Sequence, residues 1–320
     1  MISNLIKNYN RKEDKVKPYL EFKSSTPMTI TPNYTNTGIT LQYSLDKVTW
    51  NNITAKAVTP SANVIYFRGS ATGTKRLFTA SSPANAWIFT GATNLEAIGN
   101  INMLIQDVLG GSIEDIPLAI NCYAYMFYNC TSLTTSPVLP ATTLANACYF
   151  GMFQRCTSLT TPPALPATAL AIDCYNSMFR ECTNLTTVPA LPATTLANYC
   201  YASMFYNCTS LVTAPTLPAT TLANFCYASM FFSCTKLVTA PALPATTLAT
   251  SCYNGMFNRC SKIKMSTTAV GSYINAYKVP FAGTGTVSTN SLLDMFTGTG
   301  GTFKGTPTIN TTYYTENQVI

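Results

Sequence analysis

The chain has 320 residues, of which 47% are hydrophobic and 10% charged, enough apolar material for a large core and no apolar run approaching the ~18 residues that would span a bilayer. Its formal charge of +7 comes without a single histidine, which removes a common zinc ligand and the commonest general base. Between Cys122 and Cys260 only Arg155, Arg180, Lys236 and Arg259 stand against Asp173 and Glu181, so no phosphate-tracking stripe and no nucleic-acid partner is expected.

Residues 1–18 mix Lys7, Arg11, Lys12, Lys15 and Lys17 with Glu13 and Asp14 and read as a docking arm that orders on a partner. Met1-Ile-Ser-Asn-Leu-Ile-Lys-Asn has no charged start followed by an apolar stretch and a cleavage site, so folding in a reducing cytoplasm is expected. Residues 19–86 hold short strand-like runs, Tyr19 to Phe22, Met28 to Ile30, Ile39 to Tyr43, Trp50 to Ile53 and Val64 to Phe67, between clusters of Asn, Pro, Gly and Ser. That spacing predicts a small β-sandwich-like domain.

From residue 87 to 300 the texture changes. The twelve cysteines fall on two ladders with a period of 26 residues: Cys122, Cys148, Cys174, Cys200, Cys226 and Cys252, then Cys130, Cys156, Cys182, Cys208, Cys234 and Cys260. Around them one sentence repeats, C-Y-x-x-M-F-x-x-C-T-x-L-x-T-x-P-x-L-P-A-T-x-L-A-x-x, the mark of a solenoid whose units bury their apolar faces only against neighbours. Within a unit, Leu144, Cys148 and Met152, with Ala145, Tyr149 and Phe153 beside them, recur at four-residue steps and predict a helix of two to three turns. Thr157 to Pro162 predicts a short strand. The expected fold class is therefore α/β, a leucine-rich-repeat solenoid of short parallel strands and short helices. Ile88 to Leu95 matches Met126 to Leu133 at an offset of 38, which implies a first coil with a twelve-residue insertion. Met295-Phe296-Thr297-Gly298-Thr299 echoes the same phrase, and residues 301–320 read as a C-terminal β cap and tail.

The cysteines read as inert core thiols: eight residues along a helix is roughly 12 Å, too far for a disulfide, and zinc would need four converging ligands. No G-x-S-x-G, Walker or paired-carboxylate pattern is present, so no catalytic, cofactor-binding or metal set is assigned and no enzyme is expected. Thr134/Thr135, Thr160/Thr161 and Thr186/Thr187 are read as strand pairs facing opposite ways rather than two ranks on one plane.

Variation between units concentrates in a few columns. Tyr128, Gln154, Arg180, Tyr206, Phe232 and Asn258 form one, and Asn129, Arg155, Glu181, Asn207, Ser233 and Arg259 the next. A further pair runs through Asn146/Ala147, Ile172/Asp173, Asn198/Tyr199, Asn224/Phe225 and Thr250/Ser251. Aromatic, amide and arginine side chains at regular spacing suit a protein or glycan ligand; the competing reading is a solvated face where side chains vary freely.

The phrases Leu-Pro-Ala-Thr-Thr-Leu-Ala and Cys-Tyr-x-x-Met-Phe-x-x-Cys-Thr-x-Leu resemble the BspA-like leucine-rich repeats of gut Bacteroidales and of the phages that infect them, over roughly residues 87–300. The resemblance implies a surface-exposed binding or adhesion protein. With no export signal in view, the expectation is a phage virion protein, a head or tail fibre or decoration, made in the host cytoplasm and displayed on the virion surface. Its arm and β-domain would contact other virion proteins while the repeats meet a host-surface glycan or protein, with no membrane insertion. A bacterial cell-surface adhesin and an intracellular interaction scaffold are the alternatives.

Overall fold

The computed structural model describes residues 19–72, 74–105 and 116–316. The expected arm, 1–18, and most of the expected first-coil insertion lie outside them. Eleven strands are described: β1 Leu20–Thr31, β2 Ile39–Ser44, β3 Asn51–Ile53, β4 Ala62–Ala71, β5 Ile88–Thr90, β6 Leu95–Ile98, β7 Leu133–Thr135, β8 Lys264–Ser266, β9 Tyr273–Lys278, β10 Gly300–Gly301 and β11 Thr312–Glu316.

The N-terminal region is not a sandwich. It contributes to one sheet in the order β3-β2-β4-β1-β6-β7, with β5 on the far half of β1 past a register shift between Lys23 and Met28. Alternate residues Leu20, Phe22, Ile65, Phe67, Leu41, Leu95 and Ala97 are buried, the period-two pattern of a sheet with one dry face. No second sheet is needed, because the repeat array covers that face. β6 pairs in parallel with β7 of the next coil, Leu95 opposite Leu133, and one hydrophobic cluster runs from Leu20 to Tyr313.

The predicted helices do not form. Among the described residues the only helical segments are two 3-10 turns, Pro83–Asn85 and Ile101–Leu104. In place of each helix stands a run of interlocked β-turns, clearest at the centre of the array. Within the coil the N–H groups of Cys200, Ala202, Met204, Tyr206 and Cys208 donate to the carbonyls of Ala197, Tyr199, Tyr201, Ser203 and Phe205 at 3.1–3.2 Å. The intervening N–H groups of Tyr199, Tyr201, Ser203, Phe205 and Asn207 donate to Asn224, Cys226, Ala228, Met230 and Phe232 of the next coil at 2.7–3.0 Å. Even donors close turns and odd donors tie coils together, so the inward-facing backbone is satisfied without helix or sheet.

This alternation requires a left-handed residue at every fourth position, and Tyr199, Ser203 and Asn207 have φ of 58°, 53° and 57°. The same holds at Asn121, Tyr125 and Asn129, at Ala147, Gly151 and Arg155, and in each later coil. The true period is therefore 4.0. An α-helix would place residues eight apart about 80° from each other around its axis, still within a broad apolar stripe, so the four-residue recurrence fits both structures.

Apolar columns stack on this frame. Eight phenylalanine rings, Phe89, Phe127, Phe153, Phe179, Phe205, Phe231, Phe257 and Phe296, lie nearly parallel at 5.5–6.0 Å between centroids. Tyr123, Tyr149, Tyr175, Tyr201, Tyr227 and Tyr253 form a second ladder at 5.8–5.9 Å. Phe22 meets the first rung and Tyr277 and Phe303 meet the last, so each end of the ladder is covered. The C-terminal cover is a four-stranded sheet, β10-β8-β11-β9.

The predicted strand forms only towards the two ends of the array, as β6 with β7 and as β8 with β10, and is absent from the four coils between them, where isolated parallel bridges such as Thr221 to Thr247 lie further along the coil. Prolines at 163 and 166, 189 and 192, 215 and 218, and 241 and 244 recur through this stretch and have no N–H to donate. Burial holds it instead, through Leu159, Leu185, Leu211 and Leu237 and through Leu165, Leu191, Leu217 and Leu243. Without strands the threonine pairs do not alternate: Thr160, Thr161, Thr186 and Thr187 are all exposed.

All twelve cysteines are free and buried. The second ladder has a bonding role, for the thiols of Cys156, Cys182, Cys208, Cys234 and Cys260 donate to the carbonyls of Phe127, Phe153, Phe179, Phe205 and Phe231 at 2.9–3.1 Å. Burial pushes the thiols of Cys148, Cys182 and Cys260 up to about 12, so thiolate is scarce at neutral pH.

Three outcomes follow from this frame. Phe205→Ala should cost about 3–5 kcal/mol in denaturant unfolding. Ser203→Gly should stay within about 0.5 kcal/mol of neutral while Ser203→Val costs more than about 1 kcal/mol, the reverse of the order in a helix, where glycine is the worse residue. Thiol titration should find the native protein nearly inert and close to twelve reactive thiols in denaturant.

Candidate functional surface

The variable columns lie where the turn run leaves the core. Asn129, Arg155, Glu181, Asn207, Ser233 and Arg259 are the last left-handed residue of each run, with φ of 57–64°, and their N–H groups bind the next coil. Their side chains are thereby directed away from the core. Tyr128, Gln154, Arg180, Tyr206, Phe232 and Asn258 precede them and are half-buried along the same corner.

Neighbouring coils bring many of these side chains into contact. Arg155 donates through Nε to Glu181 Oε2 at 2.7 Å and through Nη1 to the Tyr128 hydroxyl at 2.9 Å. Arg180 Nε reaches the other Glu181 oxygen at 3.1 Å. The Arg180 guanidinium lies 4.0 Å from the Tyr206 ring centroid, Tyr206 stacks on Phe232 at 4.7 Å and 2°, and Arg259 sits 5.5 Å from the Phe232 ring. Gln154, Asn129, Asn207 and Asn258 share these columns. Although partial burial alone would raise the Glu181 carboxyl, hydrogen bonds from Arg155 and Arg180 hold it below the usual carboxylate range.

The further columns are tied the same way. The side-chain oxygens of Asn146, Asn198 and Asn224 accept from the N–H groups of Ile172, Asn224 and Thr250 at 3.1–3.2 Å, and Tyr199 stacks on Phe225 at 4.6 Å. Ala147, Asp173, Tyr199, Phe225 and Ser251 are themselves left-handed, with φ of 50–58°.

Ring direction decides what this surface offers. Parallel rings in successive coils turn their faces along the array and their edges outward. Tyr206 and Phe232 form the middle of a cation–ring–ring–cation sandwich, so both faces of each ring have a neighbour and neither is open for stacking on a sugar or a base.

Two features escaped the columns. Tyr125 packs edge-on to Tyr128 at 5.5 Å and against Phe150 at 5.3 Å; Gly151, at φ +55°, makes room, since a Cβ there would come within 2.6 Å of the Tyr125 ring. Lys236 and Lys262 are exposed one coil apart, and their 26-residue separation was the available signal. Among the described residues no group of three or more His, Cys, Asp or Glu side chains comes together as a metal site, and no helix is long and apolar enough to cross a membrane. The chain matches no known protein-family model, no curated protein and no solved structure.

The Arg180 to Phe232 sandwich should be energetically coupled. A double-mutant cycle on Arg180→Ala and Tyr206→Ala should give an interaction of about 0.5–1 kcal/mol, and Tyr206→Ala should cost more than the roughly 0.5 kcal/mol typical of an unengaged surface residue.

Proposed function

We propose that this chain is a non-enzymatic structural and surface-binding protein of a phage particle, a fibre or decoration, anchored through residues 1–18 and the N-terminal sheet and displaying its coil array outward. The observation that carries this reading is the split between an interior repeated almost letter for letter and a corner where side chains change from coil to coil. The aromatic and arginine side chains gathered along that corner are the residue types enriched where partners bind. The resemblance of the repeats to BspA-like sequences supports display, and twelve reduced, sealed thiols suit folding in a reducing cytoplasm before exposure on a virion surface.

Mass spectrometry of purified virions and of washed host cells tests the reading. The protein should be enriched in particles, and deletion of residues 1–18 should reduce its incorporation while leaving the thiols protected. Enrichment in the host envelope instead would favour a bacterial adhesin, and recovery only with soluble cytosolic proteins an intracellular scaffold; either outcome defeats the particle assignment.

A further inference from the structure

The corner is unevenly charged along its length. Glu181 engages both Arg155 and Arg180, whereas Lys236, Arg259 and Lys262, further along, are exposed and belong to no ion pair among the described residues. Their backbones are adjacent. The Ser261 hydroxyl donates to the Thr235 carbonyl at 3.5 Å, which sets Lys262 one coil beyond Lys236, and the turn closed by Ile263 N–H on Cys260 O carries Lys262 just after Arg259. Arg259 also caps the ring pair through Phe232.

Three unpaired cations at the end of a stacked aromatic pair call for an anionic ligand. The covered ring faces narrow the class. Single-stranded nucleic acid gains affinity from bases stacking on open aromatic faces, and neutral sugars would seek the same faces, but here guanidinium groups and neighbouring rings occupy them. What remains outward is ring edge, the Tyr206 hydroxyl and cationic nitrogen, a set suited to carboxylate or sulfate oxygens. We propose that the corner formed by Tyr206, Phe232, Lys236, Arg259 and Lys262 binds an acidic polysaccharide through its carboxylate or sulfate groups, with the rings holding the guanidinium groups rather than serving as sugar platforms. This rests on the display reading and adds the ligand class to it.

The test is retention of the full chain, at increasing salt, on immobilised polygalacturonate, a sulfated polysaccharide, dextran and oligo-dT. Retention on at least one acidic polysaccharide and on neither of the others is expected. The Lys236→Ala/Arg259→Ala/Lys262→Ala triple variant should bind at least tenfold more weakly, while Lys23→Ala/Lys47→Ala/Lys56→Ala, which removes the same charge from the N-terminal sheet region, binds as before. Glu181→Gln, by releasing Arg155 and Arg180, should strengthen binding severalfold. Native thiol protection verifies that each variant is folded. No retention on either acidic polymer, equal loss in the two triples, or equal retention on oligo-dT would overturn the proposal. The same variants assayed for host adsorption on particles keep the two readings apart: adsorption unaffected by the first triple sinks the ligand assignment and leaves display standing, whereas absence of the protein from particles sinks display whatever the polymers show.

Discussion

Everything in the array depends on how alternate backbone N–H groups are directed. In the run from Tyr199 to Cys208, even-numbered residues close turns within their own coil and odd-numbered residues donate to the next. Neither set alone would satisfy the inward face, and a helix would consume all the donors internally and leave the coils joined by side chains only. The arrangement puts a left-handed residue, most often not glycine, at every fourth position and in return fixes coil spacing, so that the phenylalanine and tyrosine ladders stack ring on ring and five of the six second-ladder thiols meet a carbonyl one coil back. The near-identity of the repeats follows, since one altered rung disturbs both neighbours.

Much of this was legible in the sequence. The 26-residue period, the burial of both cysteine ladders, and the alignment of Ile88 to Leu95 with the repeats could all be read from spacing, and Phe89 indeed stacks on Phe127 while Leu95 pairs with Leu133. The local conformation could not, because a four-residue recurrence of Leu, Cys and Met suits a helical stripe as well as a four-residue turn run. The residues that distinguish them were on view: Gly, Asn or Asp at 121, 129, 151, 173, 207 and 255 favour left-handed backbone and disfavour helix. Tyr125, Arg155, Glu181, Tyr199 and Phe225 occupy equivalent positions without any such preference and obscured the signal. The sandwich expected before the repeats failed for a different reason, since an alternating strand pattern reports one buried face and is silent on whether a second sheet or a stack of coils covers it.

The surface was legible as columns and not as contacts. Variation at Tyr128, Arg180, Tyr206 and Phe232 marked them as outward-facing, but that Arg180 would lie over Tyr206, and that Glu181 would hold two arginines, depends on where a left-handed residue sends its side chain. The same geometry that makes these columns free to vary also makes adjacent members touch. A change in one coil thus alters what its neighbour presents, and the corner is better viewed as one continuous strip than as six independent positions.

Residue-resolved NMR of the segment from Ala197 to Cys208 separates the turn run from a helix. The turn run requires positive φ at Tyr199, Ser203 and Asn207 and close backbone contacts from Ser203 to Ala228 in the next coil. Uniformly negative φ with contacts between residues three and four apart throughout that segment would rule the turn run out and restore a helix.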